Sequence, residues 1–248
     1  MIITLRNLKK LIHESLIIEN SSAVTDDSAK EIMKKFPKGL KKIGIDTSKL
    51  DSLKVLGTGT RGTAFLVSND RVFKVTNDDK EAQAASLIQG KNEKSLVRIY
   101  AVVHFADTPY YGILQEKLNP LPDDIGKEYN NALVKTLVPV WIAKSNGSWE
   151  TVKELTKKHI KDQIAKKNLN KEDMDEYVKS VNSSWNMLIN KFYIRDMFET
   201  LQKLGIRFHD FHAGNLMTRD DGQLVLIDLG MSKVSGTGNI ENLTEIKL

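Results

Sequence analysis

The spacing of apolar residues changes character twice along this chain. Leu5, Leu8, Ile12 and Leu16 recur at helical intervals, with Arg6, Lys9, Lys10 and Glu14 mostly off that face, so residues 1–20 read as an amphipathic helix. Residues 21–27 read as a linker or a helix start, with Asp26, Asp27 or Ser28 as N-cap. A Lys-rich helix over 28–43 is expected to break near Pro37-Lys38-Gly39. From Leu53 the period shortens to that of strands. Residues 53–56 lead into a glycine-rich turn, then 63–68, a turn at Asn69-Asp70, and 71–76, which is a hairpin pattern. Asn77-Asp78-Asp79 caps a helix running to about Gln89 and closed by Gly90. Residues 96–105 and 110–116 give two more strands, five in all with one helix.

After Pro120 and Pro122 the period becomes helical again. Helices are expected near 125–144, 148–167, 171–190 and 191–204, with breaks at Gly147 and 168–170. A strand pair, 216–218 and 224–227, brackets the turn Arg219-Asp220-Asp221-Gly222. The residues after Gly230 are polar and are expected to be partly disordered. The fold class is therefore α+β, in four stretches: a helical extension over 1–50, a five-stranded portion with one main helix over 51–118, a mostly helical portion over 119–234, and a tail over 235–248.

Composition narrows the class. A chain of 248 residues, 40% hydrophobic and 28% charged, can bury a sizeable core. It has no cysteine, which excludes disulfides and thiolate metal sites and suits a reducing cytoplasm. No apolar run approaches the length of a membrane span, and charges interrupt the start of the chain where a signal peptide would be apolar. The net charge of +5 owes much to Lys153, Lys157, Lys158, Lys161, Lys166 and Lys167. Without interleaved aromatics these read as a solvated helix face, and no nucleic-acid partner is expected.

The residues with chemistry fall in a definite order. Gly57-Thr58-Gly59-Thr60-Arg61-Gly62 is a GxGxxG followed by a second strand rather than a helix. That context argues against a dinucleotide fold and for a hairpin loop over ATP phosphates, where glycines at 57, 59 and 62 let backbone amides approach the oxygens. Lys74, in Val72-Phe73-Lys74-Val75, points away from its apolar neighbours and so toward the glycine loop. It needs a carboxylate partner: Glu81 is the first candidate and Glu93 the second. The strand end Leu114-Gln115-Glu116-Lys117-Leu118 offers the Glu116 carbonyl and the Leu118 amide to an adenine. Further on, Phe208-His209-Asp210-Phe211-His212-Ala213-Gly214-Asn215 is followed by Asp228-Leu229-Gly230. Asp210 suits the acceptance of a proton from an attacking hydroxyl, and Asn215 with Asp228 supplies the hard oxygen ligands that Mg2+ prefers. His209 and His212 lack a third nitrogen or sulfur ligand nearby for zinc.

In this order the residues resemble the protein-kinase-like superfamily, over about residues 52–234. Asp210-Phe211-His212-Ala213-Gly214-Asn215 is similar to the Asp-x-His-x-x-Asn of aminoglycoside and choline phosphotransferases and atypical kinases. Together with Met217, it also resembles the small protein kinases of tailed bacteriophages. His212 stands where many Ser/Thr protein kinases carry Lys, Phe208 where they carry His, and Leu229 where Phe is commoner. No Ala-Pro-Glu follows Gly230, so the helical stretch before the catalytic loop is expected to build the second lobe. The resemblance implies a bilobal fold, ATP with Mg2+, and transfer to a hydroxyl, foremost a Ser/Thr hydroxyl of a host protein or of the chain itself. The expected setting is a host cytoplasm, with delivery in the virion as a variant. Leu11-Ile12-His13-Glu14 and Ile17-Ile18-Glu19 resemble removable targeting segments of some phage head proteins. Three alternatives stay open from sequence: a small-molecule phosphotransferase, a nucleotide-binding pseudokinase, and a transferase of AMP.

Overall fold

The computed structural model describes residues 23–145, 147–167, 169–208, 210–230, 232–234 and 243–247. The expected helix over 1–20, with its apolar-x-Glu strings, lies outside the described residues, as does His209. The chain divides into two compact units, one taking residues 1–79, 101–115 and 243–248 and the other 80–100 and 116–242. Both are mixtures of helix and strand, so the α+β class holds.

The first unit is built on a six-stranded sheet, of which Ile99, Tyr100 and Glu116 are counted with the second. β1 (Lys54–Thr58), β2 (Gly62–Ser68), β3 (Arg71–Thr76), β4 (Ile99–Phe105), β5 (Tyr111–Glu116) and β11 (Thr244–Ile246) take the order β1-β2-β3-β5-β4-β11. β1, β2 and β3 are successive antiparallel partners, whereas β11 runs parallel to β4, which makes the sheet mixed. The sixth strand corrects the expectation of five. Three residues carry too little periodicity to read as a strand; their pairing with Val103, His104 and Phe105 is what makes them one.

Two short helices precede the sheet and pack on it. α1 (Asp26–Lys35) is capped by Thr25, whose extended backbone lets its hydroxyl accept the Ser28 N–H. This corrects the expected cap at Asp26, Asp27 or Ser28: the two aspartates occupy the first turn, where they suit the helix dipole. Phe36 ends α1, and α2 (Pro37–Lys42) starts on a proline, which needs no N–H there. Phe36 meets the Phe105 ring at 5.2 Å, and Phe105 meets Phe73 edge-on at 6.5 Å. A Cβ at Gly39 would lie 2.5 Å from the Cβ of Ile246, so the glycine permits α2 to approach β11. The Thr63 hydroxyl donates to the Val24 carbonyl.

The second unit holds α3 (Asp79–Ile88) from Lys80 onward, then α4 (Asp123–Thr136), α5 (Val138–Lys144), α6 (Trp149–Lys167), α7 (Lys171–Asn190) and α8 (Ile194–Lys203). The single helix expected over 125–144 is two. Leu137 takes a left-handed conformation at φ 52°, its N–H still bonded to Leu133, and α5 restarts with a proline in its first turn. The helix expected over 191–204 begins only at Ile194, because Tyr193 is also left-handed. Stacked Trp149 and Trp185 (5.5 Å), with Phe198 at 5.7 Å from Trp149, bind α6, α7 and α8. Tyr129 and Phe192 meet edge-on at 4.8 Å. Small sheets complete the unit: β6 (Asn119–Pro120), β8 (Leu216–Thr218) and β9 (Leu224–Leu226) form one, and β7 (Ile206–Arg207) pairs with β10 (Lys233–Val234) in another. Among the described residues, no helix is long and apolar enough to cross a membrane.

Candidate functional site

Of the candidate residues, Gly57, Gly59, Gly62 and Lys74 belong to the first unit. Glu81, Glu116, Leu118, Asp210, His212, Asn215 and Asp228 belong to the second.

The glycine loop joins β1 to β2. Val55 pairs with Phe65 and Gly57 with Ala64, so Leu56 is an extra residue that bulges the strand. The Gly59 N–H donates to the Gly62 carbonyl at 2.8 Å, closing the turn. Residues 56–61 are exposed. Among the described residues, a Cβ at Gly57 would meet nothing within 4 Å, and at Gly59 only the Gly62 carbonyl at 3.8 Å. At Gly62 it would meet Lys74 Cε and the Val75 carbonyl, both at 2.9 Å. Packing within the protein therefore demands glycine at 62 but not at 57 or 59. The base of the loop is fixed by Arg61. Its carbonyl accepts the Thr76 hydroxyl at 2.9 Å and the Asn77 N–H at 3.0 Å, and its guanidinium sits 2.7 Å from the buried Asp78 carboxylate. Lys74 lies opposite Ala64 in the register, half-buried between fully buried Phe73 and Val75 on the other face.

In the second unit, Asp210, His212 and Asn215 form one hydrogen-bonded group. Phe208 and Phe211 are buried and meet edge-on at 5.0 Å, anchoring the loop on both sides of Asp210. Asn130 of α4 accepts the Ala213 N–H at 2.9 Å, which ties the loop to that helix. Asn215 is buried, and its Nδ2 donates to the Asp210 carbonyl at 2.9 Å and to Asp210 Oδ2 at 3.3 Å. With the amide nitrogen so occupied, Oδ1 is the atom of Asn215 suited to a cation. His212 Nδ1 accepts the Gly214 N–H at 3.0 Å. The proton of the neutral ring is therefore on Nε2, which lies 3.5 Å from Asp210 Oδ2. The Asn215 carbonyl accepts the Ile227 N–H at 2.9 Å, so the residue preceding Asp228 is fastened to Asn215 itself. Asp228 is exposed, with φ 44°, and its Oδ1 accepts the Gly230 N–H at 3.2 Å. A left-handed aspartate costs on the order of 1–2 kcal/mol, which the local hydrogen bond partly offsets.

Glu81 is buried in the first turn of α3, and Leu118 has a buried side chain. Glu116 carries more than the backbone role expected of it. Its Oε1 accepts from the Arg98 N–H and from Arg219 Nη2, both at 2.7 Å, and its Oε2 accepts from Arg219 Nε at 3.1 Å. Sequence reasoning missed Arg219, which it read as the head of a turn. Nothing local marks it out, because its partner is 103 residues away.

Burial pushes the Tyr129 phenol far above its ordinary range, so it is neutral, and its oxygen has no hydrogen-bond partner among the described residues. Among the described residues, no three His, Asp or Glu side chains group to hold a metal ion; the candidate ligands are one Asn and one Asp. A shallow hollow of about 550 Å3 runs along α7 by Asp175, Lys179 and Asn186, and none of the candidate residues lines it. A scan of protein-family models finds no match to this chain, and neither does a comparison with curated proteins.

Proposed function

We propose that the chain is an ATP- and Mg2+-dependent phosphotransferase with a bilobal, protein-kinase-like fold, acting on Ser/Thr hydroxyls of a protein. The observation that carries this is the bonded group around Asp210, in which Asn215 holds the aspartate by both its carbonyl and its carboxylate. A carboxylate set in this way can accept a proton without having to reorient.

The donor chemistry fits Mg2+: Asn215 Oδ1 and the Asp228 carboxylate are hard oxygens, and Asp228 is held next to Asn215 through Ile227. When bound, the ion supplies charge neutralisation at the phosphate oxygens. The chain's own residues do the rest. Asp210 takes the proton of the acceptor hydroxyl as that oxygen forms its bond to the γ-phosphorus, while the bond to the β,γ-bridging oxygen breaks and ADP leaves. His212, protonated on Nε2 beside Asp210 Oδ2, keeps the carboxylate in place. The glycine loop, with no side chain at 57 or 59 in the way, presents backbone amides other than that of Gly59 to phosphate oxygens, and Lys74 adds a cation for them. The Glu116 carbonyl and Leu118 amide pair with the adenine.

The test is incubation of the full chain with γ-labelled and, separately, α-labelled ATP, with and without a host lysate. Label from the γ position on protein is expected. Label from the α position would instead mean AMP transfer. Phosphate on small solutes alone would mean a small-molecule acceptor, and no turnover with retained ATP binding would mean a pseudokinase.

A further inference from the structure

Within the second unit, three segments far apart in sequence converge on one buried ion pair. Arg219 and Glu116 have side chains only 15% and 10% exposed, and their contact is a fork of two nitrogens on two oxygens. Arg219 also donates from Nη1 to the Lys94 carbonyl at 2.7 Å and to Gln223 Oε1 at 2.8 Å, and from Nη2 to the Leu96 carbonyl at 3.0 Å. Glu116 in turn holds the Arg98 N–H by its side chain, and its own N–H donates to the Arg98 carbonyl at 3.0 Å. Backbone bonds follow the same seam: Val97 N–H to the Leu226 carbonyl, Leu226 N–H to the Ser95 carbonyl, and Asn119 opposite Thr218.

The hairpin that carries Arg219 is also the one that ends in the candidate metal ligands. Asn215 immediately precedes β8 and Asp228 lies two residues beyond β9. Glu116 begins the backbone segment assigned to the adenine. We propose that Arg219 is a positioning residue for the nucleotide: through the Glu116 side chain it fixes the backbone of 116–118 relative to the 215–228 hairpin. One end of a bound ATP would then be set against the other by a single guanidinium. Lysine cannot replace it, since a point charge with a flexible stem satisfies neither the fork nor the two carbonyls together. The inference rests on the kinase reading for the identity of the ligand.

The experiment measures steady-state kinetics in ATP with Mg2+, on the full chain, for wild type, Arg219→Lys, Glu116→Gln and a control, Val152→Ala, which opens a cavity in fully buried packing on α6. Arg219→Lys and Glu116→Gln are expected to raise KM for ATP about tenfold while kcat changes less than about threefold. The control is expected to lower Tm without moving KM. Both test variants keep a polar side chain of similar length at the position and are expected to fold. Unchanged KM in either variant with an active wild type overturns the positioning role alone. So does an equal rise in Val152→Ala, or loss of folding in both variants, since each marks a purely structural role. A wild type that neither binds ATP nor transfers phosphate overturns the proposed function, and this inference with it.

Discussion

The glycine loop over 57–62 and the loop over 210–215 are both short, polar and rich in small residues, yet they are held in opposite ways. In 210–215 nearly every polar group is engaged. Asn215 grips Asp210 twice, His212 takes the Gly214 amide, Asn130 takes the Ala213 amide, and two buried phenylalanines pin the chain beneath. In 57–62 the side-chain anchoring is confined to one end. Arg61 and Gly62 are tied to β3 and to residues 76–78, while 57–60 are exposed and held by backbone pairing alone, Gly57 opposite Ala64, Thr58 opposite Thr63 and the Gly59 N–H on the Gly62 carbonyl. A loop that must present a base in one orientation gains by being fixed before substrate arrives, because reorganisation at the moment of reaction is avoided. A loop that must mould its amides to an anion gains from openness. The contrast in wiring thus matches the contrast in the tasks proposed for the two loops, and substitutions can break it from either side.

The largest effect is expected at Asp210. Asp210→Ala should reduce phosphoryl transfer by a factor of about 1,000 or more while leaving ATP binding within a few-fold, read by single-turnover kinetics alongside nucleotide titration. Full turnover in that variant would remove the assigned base. Asn215→Ala is expected to lower activity about a hundredfold and stability by about 1–3 kcal/mol, since it removes a proposed ligand and leaves the part-buried Asp210 oxygens without their donor; chemical denaturation reports the second part. Asp228→Ala should weaken Mg2+-dependent ATP binding and cost about 1 kcal/mol of stability, because alanine keeps the left-handed backbone without the bond to the Gly230 N–H. In the glycine loop, Gly62→Ala should cost about 1–3 kcal/mol through the clash with Lys74 and the Val75 carbonyl. Gly57→Ala should change stability by less than about 0.5 kcal/mol, since the added methyl meets nothing, yet still raise KM for ATP. A thermal scan with equal losses at 57 and 62 would erase the distinction between the two ends of the loop.

Much of the local structure was legible because it depends on neighbours in sequence. Alternation over 63–68 and 71–76 with Asn69-Asp70 between them gave a hairpin, and the polar break at 168–170 gave a helix start at Lys171. The Asp210 to Asn215 spacing also follows from local geometry, since one tight loop closed on its own hydrogen bonds sets both residues. The break at Leu137 was not legible: leucine has no intrinsic leaning toward φ 52°, and Pro139 alone does not say where the preceding helix stops. The Thr25 cap was missed because three neighbouring residues were equally good candidates, and only the backbone turn decides among them.

The sequence by itself determined the α+β class, the hairpin that follows the glycine loop, the helices that start near 79, 149 and 171, and which residue types could do chemistry. These follow from periodicity and from turn and cap preferences acting over a few residues. Only the tertiary structure decided that Thr244–Ile246 joins the sheet beside β4, that Phe36, between the first two helices, packs on Phe105 of that sheet, and that Arg219 closes on Glu116. Each of these is a pairing between segments remote in sequence. Its free energy comes from burial and hydrogen bonds that exist only once both partners are in place, so neither segment carries a local sign of it.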